Sequence, residues 1–179
     1  MKNKNNMKLY RVDKRLYDVG AEILPDTHYS QEFNKEDKGI LEKLLDDKKH
    51  ITRTRKECLF LFNSLYHALI FFSKYGGYIY EVAPEQELFR GDMNKLDNIL
   101  DALRFCGEDG IDSFVNEYWK DGTHTFSPCY EVLCKKAIVI KRIELEITKE
   151  DFYRELKNAG NCVEQTRTYH ELFNEQYQV

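Results

Sequence analysis

What is scarce in this sequence narrows its class. The first 20 residues contain no apolar run long enough for a secretory or membrane-spanning segment, and Met1 to Asn6 is polar and basic, so a cytoplasmic protein without a membrane partner is expected. There are five cysteines, at positions 58, 106, 129, 134 and 162, an odd number with no CxxC spacing, which fits reduced thiols rather than a disulfide framework. His124, Cys129 and Cys134 are separated by four residues each, which matches no compact zinc knuckle, so no metal is expected. The chain has no Walker loop, no G-x-G-x-x-G, no G-x-S-x-G, no internal repeat and no low-complexity segment, so it shows none of the common phosphate-cradle or serine-nucleophile signatures. A surplus of positive charge is also missing. The net charge is −4, with 14 Lys/Arg against 11 Asp/Glu in residues 1–60 and an excess of seven acidic groups in residues 61–179. Contact with nucleic acid would have to come from a local patch, and Lys48-Lys49-His50 through Arg53-Thr54-Arg55-Lys56 is the candidate.

What is present is enough for one core. At 179 residues and 42% hydrophobic content the chain supports a single domain. Lys8 to Val12 alternates as a first strand, with Asp13 to Arg15 turning out of it. Phe33, Ile40, Leu41, Leu44 and Leu45 keep a helical spacing, and Cys58 to Phe62 reads as a buried strand. Ser64 caps a helix that stops at Gly76-Gly77, and Tyr78 to Val82 is a strand closed by Pro84. Phe89 to Leu103 reads as helical with Asp92 as its cap, followed by a helical piece from Ile111 to Trp119. Phe126 to Ile143 is a strand with its apolar end buried on both faces, and Glu131 stands at its mouth on the same side as Cys129. Thr148 and Asp151 make a capping-box spacing for a helix over 149–158, and a last helix is expected from Cys162 to about Tyr177. This tail has 4 Lys/Arg against 8 Asp/Glu from Glu144 onward; packing on the domain is the favoured expectation, and a surface for a partner is the alternative.

Several of these segments carry a resemblance. Lys8-Leu9-Tyr10-Arg11-Val12-Asp13-Lys14-Arg15 resembles the opening K-L-Y-R-x-D-x-R of cholera-toxin-type mono-ADP-ribosyltransferases. Ser64-Leu65-Tyr66-His67-Ala68 is similar to the S-L-x-x-A that follows that group's second motif. Tyr78-Ile79-Tyr80, Phe89 and Asp92 are similar to the next strand and turn, and Pro128-Cys129-Tyr130-Glu131-Val132 falls where the E-x-E or Q-x-E turn places the glutamate. The resemblance spans residues 8 to about 143. It implies an α+β fold, an ADP-ribosyltransferase-like split β-sandwich with flanking helices, with residues 1–147 as catalytic domain and 148–179 as a helical extension.

It further implies a transferase that cleaves NAD, as substrate, at the nicotinamide–ribose bond and passes ADP-ribose to a macromolecule, as a toxin or conflict effector whose partners would include an inhibitor or antitoxin. The bond breaks through an oxocarbenium-like state that a carboxylate stabilises, and by resemblance Glu131 is that catalytic group. Arg11 would grip a phosphate or ribose of NAD through its fork of donors. Tyr10, Phe60 and Phe62 would stack beside the nicotinamide. Two departures bear on the roles. Phe60-Leu61-Phe62 occupies the place of the family's Ser-Thr-Ser, so the serine that braces the glutamate in the family is either absent here or is Ser64 shifted in register. Cys129 stands where arginine-modifying members carry the first glutamate, which turns acceptor selection from arginine toward another side chain, RNA or DNA. The alternative is a catalytically weak NAD-binding or interaction module of the same fold.

Overall fold

A computed structural model describes residues 8–26, 36–108, 110–120, 122–145, 148, 150–152 and 154. Five strands appear in chain order: β1 (Leu9–Asp13), β2 (Glu22–Ile23), β3 (Leu59–Phe62), β4 (Tyr78–Asp92) and β5 (Tyr130–Ile143). Helices among the described residues include α1 (Glu36–Asp47), α2 (Leu65–Tyr75), α3 (Asn94–Cys106) and α4 (Asp112–Trp119). The architecture is mixed α+β, and all strand pairings are antiparallel.

The pairings close on themselves. β1 pairs β3 and β4, β3 pairs β5, and β5 returns along β4, while β2 adds to β5 beyond β3. Such a ring has an inside and an outside, and alternation along each strand separates them. Leu9, Ile23, Leu59, Leu61, Tyr80, Val82, Val132, Cys134, Ala137 and Val139, drawn from all five strands, fill the interior. On one outer face Tyr10, Val12, Phe62 and Ile79 pack under Ala68, Leu69 and Phe72 of α2. On another, Phe89 and Leu133 pack under Leu41 and Leu45 of α1, Leu96 and Ile99 of α3, and Val115, Tyr118 and Trp119 of α4.

The apolar stripe of α2 holds and ends at Gly76 (φ +70°). Gly77 is a close-approach position: a Cβ there would meet the Asp13 carbonyl oxygen at 2.5 Å. Three expectations need correction. Pro84 does not close a strand, because β4 runs 15 residues through it. β1 reaches only Val82, so among the described residues β4 has β5 as its single strand partner from Ala83 onward, where a strand tolerates proline. Irregularities at Glu81/Val82 and Glu87/Phe89, with Gln86 at φ +54°, let β4 bend around the ring. Phe89 to Asp92 is therefore strand, and the helix starts at Asn94. The last strand opens at Tyr130 rather than Phe126, which is fully exposed.

Thr148 caps as its spacing predicts: its Oγ1 accepts from Asp151 N at 3.1 Å, and Phe152 is buried against the α2 side of the core. The remainder of the expected extension, including the helix from Cys162, lies outside the described residues. Among the described residues no helix is long and apolar enough to cross a membrane.

Candidate functional site

Strand register sets the geometry. Tyr10 pairs Phe62, Phe62 pairs Glu131, and Glu131 pairs Gly91, so the four form one row across β1, β3, β5 and β4 with side chains directed to the outer face. Arg11, the next residue along β1, falls on the other face, opposite Tyr80 of the interior. Arg11 and Glu131, expected to meet on one NAD molecule, are thus on opposite faces of the sheet.

Glu131, the second residue of β5, stands at the mouth of its strand as expected, but it is not open to solvent there. It is 1% exposed and lies under α1 and α4. Its Oε1 accepts a hydrogen bond from the Tyr118 hydroxyl at 2.5 Å and another from Arg55 Nη1, which also donates to the Tyr118 oxygen. On its other side Arg55 Nε reaches both oxygens of Glu42, at 3.3 and 3.2 Å. All four groups are buried, Arg55 at 4% and Glu42 at 7% exposure. Burial alone would pull the Arg55 guanidinium down, but Glu131, Tyr118 and Glu42 hold it well above its ordinary value. Burial, with Glu131 adding, pushes the Tyr118 phenol well up against the opposing pull of Arg55, so it stays a donor. Burial likewise raises Glu42, against the pull of Arg55.

Each contributor is held locally. Arg55 lies in a 3-10 turn (Arg55–Glu57) closed by Thr54 and Glu57, where Thr54 N and Oγ1 both donate to Glu57 Oε2, at 2.9 and 2.8 Å. Tyr118 ends α4 within an aromatic group, its ring centroid 5.3 Å from Phe89 and 4.9 Å from Trp119. Gly91 makes room for that ring, since a Cβ there would stand 2.9 Å from Tyr118 and 2.5 Å from Phe89. Gly91→Ala is therefore expected to cost roughly 1–3 kcal/mol and to displace the Tyr118 hydroxyl from Glu131, measured by urea denaturation and by the tyrosine absorbance of the folded protein.

The segment leading into β5 is tied by Asp92, 1% exposed, whose carboxylate accepts from Asn94 N and Cys129 N at 3.1 Å each and from Thr125 N and Oγ1 at 2.7 Å each. Burial pushes this carboxyl up, but the four donors outweigh it and hold it below its ordinary value. The expected cap of α3 is thus a clasp joining three segments.

The remaining predicted residues have other surroundings. Arg11 Nε and Nη2 bind Asp13 Oδ2 at 3.2 and 3.1 Å, and its Nη1 donates to the Phe60 carbonyl at 3.0 Å, so all three guanidinium nitrogens are engaged. Arg15 holds the other side of Asp13, and despite its burial that carboxyl is lowered by the two arginines. Phe60 lies 5.1 Å beneath the Arg55 guanidinium, whereas Phe62 and Tyr10 belong to the core under α2. Ser64 precedes α2 and accepts from Ala68 N through its backbone carbonyl, so Arg55 and Tyr118, not a serine, hold Glu131. The Cys129 thiol is half-buried and pushed up to about 11, by burial first and then by Glu131 and Asp92, which makes it a weak nucleophile at neutral pH.

The basic run does not form one cationic face. Arg55 points into the core, Lys48 pairs with Asp112 at 3.1 Å, and Lys49 caps the Asp46 carbonyl at 3.0 Å. Among the described residues no group of three His, Cys, Asp or Glu side chains is placed to hold a metal ion. Sequence reasoning missed Arg55 and Tyr118 as partners of Glu131; the one local signal was the Thr54-Arg55-Lys56-Glu57 capping-box spacing, which shows a turn and not where Arg55 points. Compared with protein-family models and with curated proteins, the chain matches none.

Proposed function

We propose that the chain is an ADP-ribosyltransferase-like protein in which Glu131 is the carboxylate that stabilises the oxocarbenium formed when NAD loses nicotinamide. The observation that supports this reading is the cross-strand row: three of the four segments resembling the family's motifs form or adjoin the neighbouring strands β1, β3 and β5, with Tyr10, Phe62 and Glu131 in register. A carboxylate ion-paired to a guanidinium and bonded by a phenol is fixed in position, as an electrostatic catalyst requires. Arg11, committed to Asp13 on the other face, takes no part, and Glu131 carries the reading alone. The acceptor in this reading is a macromolecule other than arginine, a protein side chain or a nucleic-acid base, with Cys129 beside Glu131 at the acceptor position.

A second reading is favoured by the burial of Glu131: an NAD-binding or interaction module of the same fold, in which Arg55 holds the carboxylate shut. Incubation with labelled NAD and lysate separates them. Label on protein or nucleic acid, reduced at least about a hundredfold by Glu131→Gln in a folded variant, supports the transferase. Label unaffected by Glu131→Gln removes Glu131 from the chemistry, and no label with retained NAD binding supports the module.

A further inference from the structure

The buried cluster has a charge surplus. One guanidinium, Arg55, lies between two carboxyl groups, Glu42 and Glu131, and the phenol of Tyr118 adds no positive charge, so with both carboxyls ionised the enclosed charge is −1. A surplus charge under three helices and away from water is costly unless a proton removes it. The contacts indicate where that proton sits. Arg55 Nη1 is committed to Glu131 and Tyr118, while the contact with Glu42 is a single N–H forked between two oxygens at 3.2 and 3.3 Å, the weaker arrangement.

We propose that Glu42, Arg55, Tyr118 and Glu131 form a proton-fastened latch, in which a protonated Glu42 keeps α1 closed over Glu131 and loss of that proton to solvent loosens α1 and uncovers the carboxylate. The groups facing Glu42 are Arg55 from the 3-10 turn, Glu131 from β5, Tyr118 from α4 and Asp46 one turn further along α1. α3 adds the apolar Leu96 and Ile99. α1 is otherwise fastened to α4 by the Trp119 indole donating to the Leu45 carbonyl at 3.1 Å and by the exposed Lys48–Asp112 pair, and Glu42 links α1 to the Glu131 cluster through the hydrogen bonds it accepts from Arg55 Nε. The burial that raises Glu42 sets the direction: the stabilisation is complete below the ordinary carboxylate value of about 4.3 and is lost as pH rises through the higher folded value.

The consequence for catalysis rests on the transferase reading; the latch does not. The test compares wild type with Glu42→Gln across pH, following urea denaturation and the amide-exchange protection of residues 36–47, normalised to intrinsic rates. Wild-type protection of this segment is expected to fall about tenfold or more above the Glu42 titration, relative to Glu42→Gln, which keeps it and becomes the more stable protein there. Glu42→Met, lacking both charge and hydrogen bonds, should show the same flattened profile if the amide variant folds poorly. Parallel profiles, or variants less protected than wild type at high pH, overturn the latch. Nicotinamide release measured in the same samples separates the two claims: a pH-dependent latch with no release at any pH leaves the latch and removes the transferase, whereas release with flat protection does the reverse.

Discussion

Arg55→Ala is expected to lose about 3–5 kcal/mol of folding stability, the largest effect of any single substitution considered. The substitution leaves two carboxyl groups, both under 10% exposed, without the only guanidinium between them. Against a typical total of about 5–15 kcal/mol, a loss of that size brings a small domain near its threshold. The origin of the loss is checkable by a double-variant cycle read from urea midpoints. Arg55→Met combined with Glu131→Gln should lose clearly less than the sum of the single losses, because the second change removes the charge that the first one stranded. Additive losses would mean that Arg55 acts through packing on Phe60 and Tyr118 rather than through its ion pairs. The same expectation bears on nucleic-acid binding, because a variant lacking Arg55 would fail through unfolding. A basic-patch test belongs to Lys48, Lys49 and Arg53 alone.

Asp92→Ala is the second large expectation, at roughly 3 kcal/mol, since it strips a buried acceptor from four donors, three of them backbone N–H groups. Its effect should reach Glu131, because Thr125 and Cys129 belong to the segment that delivers β5. Asp92 also sets a pH dependence opposite in sign to that of Glu42. Its folded value is lowered, so its contribution is present above the ordinary carboxylate range and lost as pH falls through the folded value. Acid denaturation followed by circular dichroism should begin at higher pH in Asp92→Asn than in wild type. An unchanged acid midpoint would show that the clasp is carried by the backbone of 123–129 rather than by the carboxylate.

The sequence carried the helices because their apolar stripes are local: Ala68, Leu69 and Phe72 mark α2 at helical spacing, and Leu96 and Ile99 mark α3. It also carried the strand containing Glu131. The full length of β4 was hidden because Pro84 ordinarily ends a strand, and only the absence of β1 beyond Val82 makes proline acceptable there. The environment of Glu131 was hidden for a different reason. Arg55 is 76 residues away in sequence, Tyr118 is 13 away on another element, and neither spacing carries a periodic signal. Arg55 sits in a run of cations that composition reads as a solvated patch, and the reversal from surface charge to core ion pair arises only when the 3-10 turn brings it under α1 and α4. Arg11 shows the converse. Its motif was visible, but strand alternation puts it on the interior face with Tyr80, where Asp13 two residues on takes its donors.

The most direct test of the central claim is nicotinamide release from NAD by the purified protein, without acceptor, comparing wild type with Glu131→Gln after circular dichroism has shown both to be folded. Slow release by wild type and at least about a hundredfold less by Glu131→Gln are expected. Equal release by the two proteins, or none above the uncatalysed rate from wild type at any pH, would contradict it.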